Sequence, residues 1–195
     1  MIEVKKTTLY WNYYLALEKD LEVVARYIEF SESNWNTYSI ELARLLLAVS
    51  SEVDVVIKEI CKMLDPSARN NNIVEYKKTI KEYLPALISE TVYLNRYGLK
   101  FQPWIKWDKQ DSPNWWQSYN KVKHERNQYY EKANLQNILN AFGALLITNI
   151  YYYKAKKEKE ENNNVHFKEV TRYLVPESTL LRLAEDYYYD NLIVG

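Results

Sequence analysis

The 195-residue sequence predicts an all-α fold, an antiparallel bundle of four to five helices with a C-terminal appendage. Glycine and proline are scarce, at 3 and 5 residues, while tyrosine is abundant at 19, a balance that suits helices with thick aromatic packing rather than a turn-rich β-sandwich. Residues 38–64 carry Leu42, Leu45, Leu46, Val49, Val53, Val56, Ile60 and Met63 on one continuous helical stripe. Residues 133–157 have a middle, ILNAFGALLITNIYYY, that is apolar nearly all round, as in a core helix. No interdomain linker interrupts the chain early. Residues 1–195 therefore read as a single helical domain, with the core bundle over about 38–157 and with 158–195 as a loop and the appendage.

Taken in order, Leu17, Leu21, Val24 and Ile28 recur at helical spacing and predict a first helix over 8–29. The turn SESNWN at 31–36 is rich in capping residues and offers Asn36 or Thr37 as the next N-cap. The second helix, 38–64, has a flanking stripe of Ile40, Ala43, Leu47, Ile57, Cys61 and Leu64. Being apolar over more than one seam, it is expected to be the central element, ended by Asp65-Pro66. Asp54 shares a side with Ala43, Ser50 and Cys61 and calls for a partner, Lys58 at i+4 being the expected one. After the polar loop SARNNN, residues 73–97 read as a third helix, kinked or split by Pro85 and stopped by Gly98.

Residues 99–111, LKFQPWIKWDKQD, lack a helical period and read as an ordered loop tied to the core by Trp104 and Trp107. Such a loop covers the open end of a bundle more often than it stacks on bases. The last main helix spans 133–157; Asn137, Asn140, Thr148 and Asn149 break its apolar run, which falls short of the ~20 residues of a membrane span. Gly143, with Ala141 and Ala144, admits a close helical neighbour. KAKKEKEENNN at 154–164 reads as a solvated helix end and loop. VHFKEV alternates like a short strand, and residues 178–190 fit one more helix capped by Ser178.

Composition excludes several function classes. With three glycines there is no G-x-G-x-x-G, Walker loop or nucleophile elbow. Lys plus Arg equals Asp plus Glu at 26 each, so any nucleic-acid binding has to be local. The single cysteine, Cys61, rules out an intrachain disulfide and a cysteine zinc cage. Two distant histidines give no zinc spacing, and Glu52 with Asp54, or Glu125 with Glu131, would need further ligands to hold a hard cation. The first residues, MIEVKKTTLYW, lack a signal layout, which points to the cytoplasm.

Residues 112–131, SPNWWQSYNKVKHERNQYYE, concentrate aromatic, amide and basic groups around His124, one of two histidines. Ser112-Pro113 is a good helix opening. At about 100° per residue, Asn120, Lys123, His124 and Asn127 share a stripe with Trp116, while Trp115, Tyr119, Val122, Tyr129 and Tyr130 face the other way. This pattern, N-x-x-K-H-x-R on an amphipathic helix of an all-helical chain, resembles the HEPN superfamily, small helical-bundle proteins many of which are RNases of prokaryotic defence and toxin systems. Family RNases carry an Arg four to six positions before the His; here those positions are Asn120, Tyr119 and Ser118. Starting instead from Arg126-Asn127, the positions due for His hold Tyr130, Glu131 and Lys132.

The resemblance implies RNA cleavage to a cyclic phosphate without metal or cofactor, RNA as substrate, an antitoxin as protein partner, and a homodimer with facing motifs. In that chemistry His124 is the acid or base, Asn120 orients its ring, Lys123 stabilises the phosphorane oxyanion, and Asn127 and Arg126 contact phosphate. On an unbroken helix, however, Arg126 points about 200° from His124. Either the helix breaks near Glu125, or Arg126 is structural with its stem over Trp115 and Val122; the second is the expectation. His166 has no supporting constellation. Two functions thus stand: a metal-independent endoribonuclease, favoured by clustered Asn, Lys and His, and a non-catalytic HEPN-like bundle that binds a partner protein or nucleotide, favoured by the missing Arg. The plain alternative for His124 is a solvent-facing residue on a wide polar face.

Overall fold

The computed structural model describes residues 7–189. These form seven α-helices and one small hairpin: α1 (Leu9–Val24), α2 (Ile40–Leu64), α3 (Ile73–Tyr83), α4 (Ala86–Ser89), β1 (Val92–Leu94), β2 (Leu99–Phe101), α5 (Asn114–Tyr129), α6 (Leu135–Glu161) and α7 (Phe167–Tyr173). The mostly helical fold agrees with the sequence reading. No described helix is long and apolar enough to cross a membrane.

The axis of the molecule is the pair α2 and α6, so the central place expected for 38–64 is shared. Residues 141–150 of α6 are buried without interruption, because α1, α2, α5 and α7 surround it. Its closest partner is α2, and the two run parallel. Their N-terminal ends are joined where Leu135 N–H donates to Thr37 O at 2.9 Å and Gln136 N–H to Trp35 O at 3.1 Å. Toward the other end, the Glu59 charge of α2 acts on both Tyr152 of α6 and Tyr10 of α1. A long connection through α3, the hairpin and α5 permits this parallel pair, which short loops would not. α1 runs against them, with Asp20 reaching Arg44 near the start of α2 at 2.7 Å.

Caps fix the starts of the long helices. Ser39, rather than Asn36 or Thr37, caps α2 by accepting from Leu42 N–H at 3.1 Å, because Tyr38 is held in an antiparallel bridge with Asn134. Asn72 caps α3 and Asn134 caps α6 in the same way. Asn162, left-handed at φ 50°, ends α6 after the ion pairs Lys154–Glu158 and Lys157–Glu161, so the charge run does form a helix end. Asp54 makes no ion pair with Lys58 among the described residues. Its charge instead acts on Tyr76 of α3, whose phenol is raised first by burial and then by that carboxylate.

Three segments depart from expectation. Pro85 does split the third helix, but beyond α4 the chain forms the antiparallel β1–β2 hairpin, with Val92 opposite Phe101. Thr91, Val92 and Tyr93 are β-branched or aromatic, and Gly98 supplies the left-handed turn residue, φ 64°, so it turns a hairpin instead of stopping a helix. This hairpin, not a helix, uses the small residue in α6: a Cβ built on Gly143 would lie 2.7 Å from the Phe101 ring. VHFKEV is no strand, since Phe167 starts α7 directly after His166. From Ser178 to Tyr189 the chain forms no α-helix, only an antiparallel bridge of Arg182 to Tyr93 and one 3₁₀ turn at Glu185–Tyr187; Asp190, the end of the expected helix, lies outside the described residues. This segment packs into the core through Leu180, Leu181, Leu183, Tyr187 and Tyr188.

Candidate functional site

α5 opens one residue later than expected, at Asn114, with Pro113 in the cap position. Trp115, Trp116, Ser118, Tyr119 and Val122 are buried, so Trp116 faces inward and not along the polar stripe. The rings of Trp107, Trp104, Trp115, Trp116 and Tyr119 form a train with centroids 4.7–5.6 Å apart. Trp104 and Trp107 are fully buried, as the loop reading requires, and have no free face for a base. At Glu125 the backbone leaves the helix, φ −138° and ψ 49°. No glycine or proline marks this break, and it realises the alternative in which Arg126 is released from the helical phase of His124.

The break separates the predicted site residues. His124 is exposed and makes no hydrogen bond or ion pair among the described residues. Asn120, half-buried, makes no hydrogen bond to its ring. Lys123 Nζ instead turns to Tyr119, donating to the hydroxyl at 3.2 Å and lying over the ring at 5.4 Å. Arg126 and Asn127 belong elsewhere. They line a cleft of about 460 Å³ with Ile40, Ala43 and Tyr130, whose ring packs edge-on to Tyr38. Arg126 and Ile40 also border an adjoining cleft of about 630 Å³, which continues along α2 past Arg44, Leu47, Ala48 and Ser51 to Glu52 and is walled by Tyr13 of α1.

The two clefts form one groove with an unusual charge state. Ile40 is 82 % exposed although its stripe was expected to be buried; Ala43, Ile57 and Cys61 of that stripe do pack inward. Arg44 is neutralised by Glu41 and Asp20, and its hydrogen bond holds the Glu41 carboxyl below its usual range. Arg126, where the two clefts meet, and Glu52, further along α2, have no ion-pair partner among the described residues. Partial burial raises the Glu52 carboxyl. The sequence signal for this groove was the double-width apolar face of α2, read as a buried seam. Among the described residues no cluster of three or more His, Cys, Asp or Glu side chains could hold a metal. Compared with protein families, curated proteins and solved structures, the chain matches none.

Proposed function

We propose that the protein is a non-catalytic, HEPN-like helical bundle that acts by binding protein through the α2–α5 groove, and that its first partner is a second copy of itself. One observation carries this reading: the groove exposes Ile40 and, along α2, separates a cation, Arg126, from a carboxylate, Glu52, neither of which has an ion-pair partner among the described residues. Such a face is self-complementary under two-fold symmetry. Residue 40 and residue 52 lie about 18 Å apart along α2 at 1.5 Å per residue. Two α2 helices crossing antiparallel near Leu47 would set Arg126 of each copy against Glu52 of the other, and Ala48 and Ser51 are small enough for close approach. Ile40→Asp should therefore convert a sedimenting dimer into the 23.4 kDa monomer.

The endoribonuclease reading draws support from the exposed Lys123, His124 and Asn127 beside the groove, where a two-fold partner could complete a composite site. Incubation with a broad RNA panel separates the two. Intact RNA supports the binding module; cleavage that His124→Ala lowers by roughly 100-fold would establish the enzyme instead.

A further inference from the structure

A second cleft, of about 170 Å³, lies where β2, the 105–108 turn and the first turns of α5 and α6 meet. Five carboxamides line it, Gln102, Asn114, Gln136, Asn137 and Asn140, with Lys106 as the one charged group. No Asp or Glu takes part, and Lys106 is exposed so that solvent screens its charge, which leaves hydrogen bonding as the main means of recognition. Its volume is below the ~300–1,000 Å³ of clefts that take drug-sized molecules, and suits a single ring.

Three of the amides have fixed orientation. Gln102 Nε2 donates to Ser89 O at 2.8 Å, Asn137 Nδ2 to Lys132 O at 2.9 Å and Asn140 Nδ2 to Gln136 O at 2.8 Å. Each bond uses one of the two N–H bonds of its NH₂ group, so every one of these amides keeps its side-chain oxygen to accept and one N–H to donate. Asn114 and Gln136 have both ends of the amide unpartnered among the described residues. The cleft therefore offers five accepting oxygens and, from the same amides, free N–H groups, so the complementary ligand both donates and accepts from several positions around one ring. A nucleobase fits poorly: it has few donors and needs a stacking platform, whereas the Trp115 indole is 2 % exposed and its N–H is committed to Pro103 O at 2.9 Å. A polyhydroxylated ring has a hydroxyl donor at nearly every carbon, and its C–H face can rest on Pro103 and on Ile105, which is 43 % exposed.

We propose that this cleft is a binding site for a neutral hexopyranose unit, independent of the α2–α5 groove. The test is titration of ¹⁵N-labelled protein with D-glucose, D-galactose, D-mannose and N-acetyl-D-glucosamine, with adenosine as counter-probe, following the Asn and Gln side-chain NH₂ resonances. At least one hexopyranose should give saturable, millimolar shifts at Asn114 and Gln136. Asn114→Ala and Gln136→Ala, both at exposed positions and unlinked to the core, should each weaken that binding about tenfold while the remaining spectrum stays native. Absence of saturation by all four sugars, saturation by adenosine alone, or sugar shifts unchanged in both variants would each overturn the proposal.

Discussion

Glu18 of α1 accepts a hydrogen bond of 3.1 Å from the backbone N–H of Leu180, 162 residues further along the chain. The same carboxylate, 2 % exposed, accepts from Thr179 N–H at 3.0 Å, Leu181 N–H at 3.4 Å, Tyr14 Oη at 3.0 Å and Ser178 Oγ. A buried carboxylate surrounded by donors in this way is a clamp that holds the C-terminal segment on the bundle.

Glu18→Ala leaves these donors unpaired in the core and should cost at least ~3 kcal/mol, roughly 6–12 °C in melting temperature for a chain of this size. Hydrogen exchange at Thr179, Leu180 and Leu181 should accelerate before that of α6. Glu18→Gln, which keeps the shape and part of the accepting capacity, should lose less.

At Gly143 the expected effect is overpacking. Gly143→Ala gains up to ~1 kcal/mol of helix propensity but drives a methyl into Phe101 and Val92, for a cost of ~1–3 kcal/mol. Net destabilisation in urea melts is expected, and Phe101→Leu in the same chain should recover part of it. A stabilised single variant would mean that the hairpin is not seated on α6.

The legibility of the chain follows signal strength. The spans of α2 and α6 could be read because their long apolar periods run over 25 and 27 residues, even though neither capping residue was identified from sequence. The hairpin was hidden because residues 92–101 are too short for a period to separate strand from helix, and Pro85 gave a sufficient reason to extend a split helix through them. The break at Glu125 carries no Gly or Pro, so the relation of His124 to Arg126 could be posed from sequence but not decided. Nothing in the sequence singles out Glu18, since its partners arrive from the far end of the chain. The carboxamide cleft draws on three separate segments and had no linear motif.

Association should depend on pH through Glu52. In the free chain, burial holds this carboxyl above its ordinary value of 4.5, and pairing with the partner copy's cation lowers it. A group whose pKa falls on association strengthens the dimer where it is ionised, and that gain is lost as pH falls through the raised value of the free chain. Dimer dissociation should therefore increase as pH falls through the raised value of the free chain toward the lowered value of the dimer. Glu52→Gln should associate more weakly at neutral pH and lack this acid-dependent step.

Sedimentation of charge-swapped variants is the most direct measurement of the docking groove. Wild-type protein at tens of micromolar should run at twice 23.4 kDa. Arg126→Glu and Glu52→Arg, each placing like charges opposite one another twice across the two-fold axis, should run as monomers with nearly unchanged melting temperatures, because neither residue has an ion-pair partner in its own chain among the described residues. The double variant, Arg126→Glu with Glu52→Arg, restores both pairs and should return to the dimer. A monomeric wild type, or a double variant that stays monomeric while folded, would contradict the account.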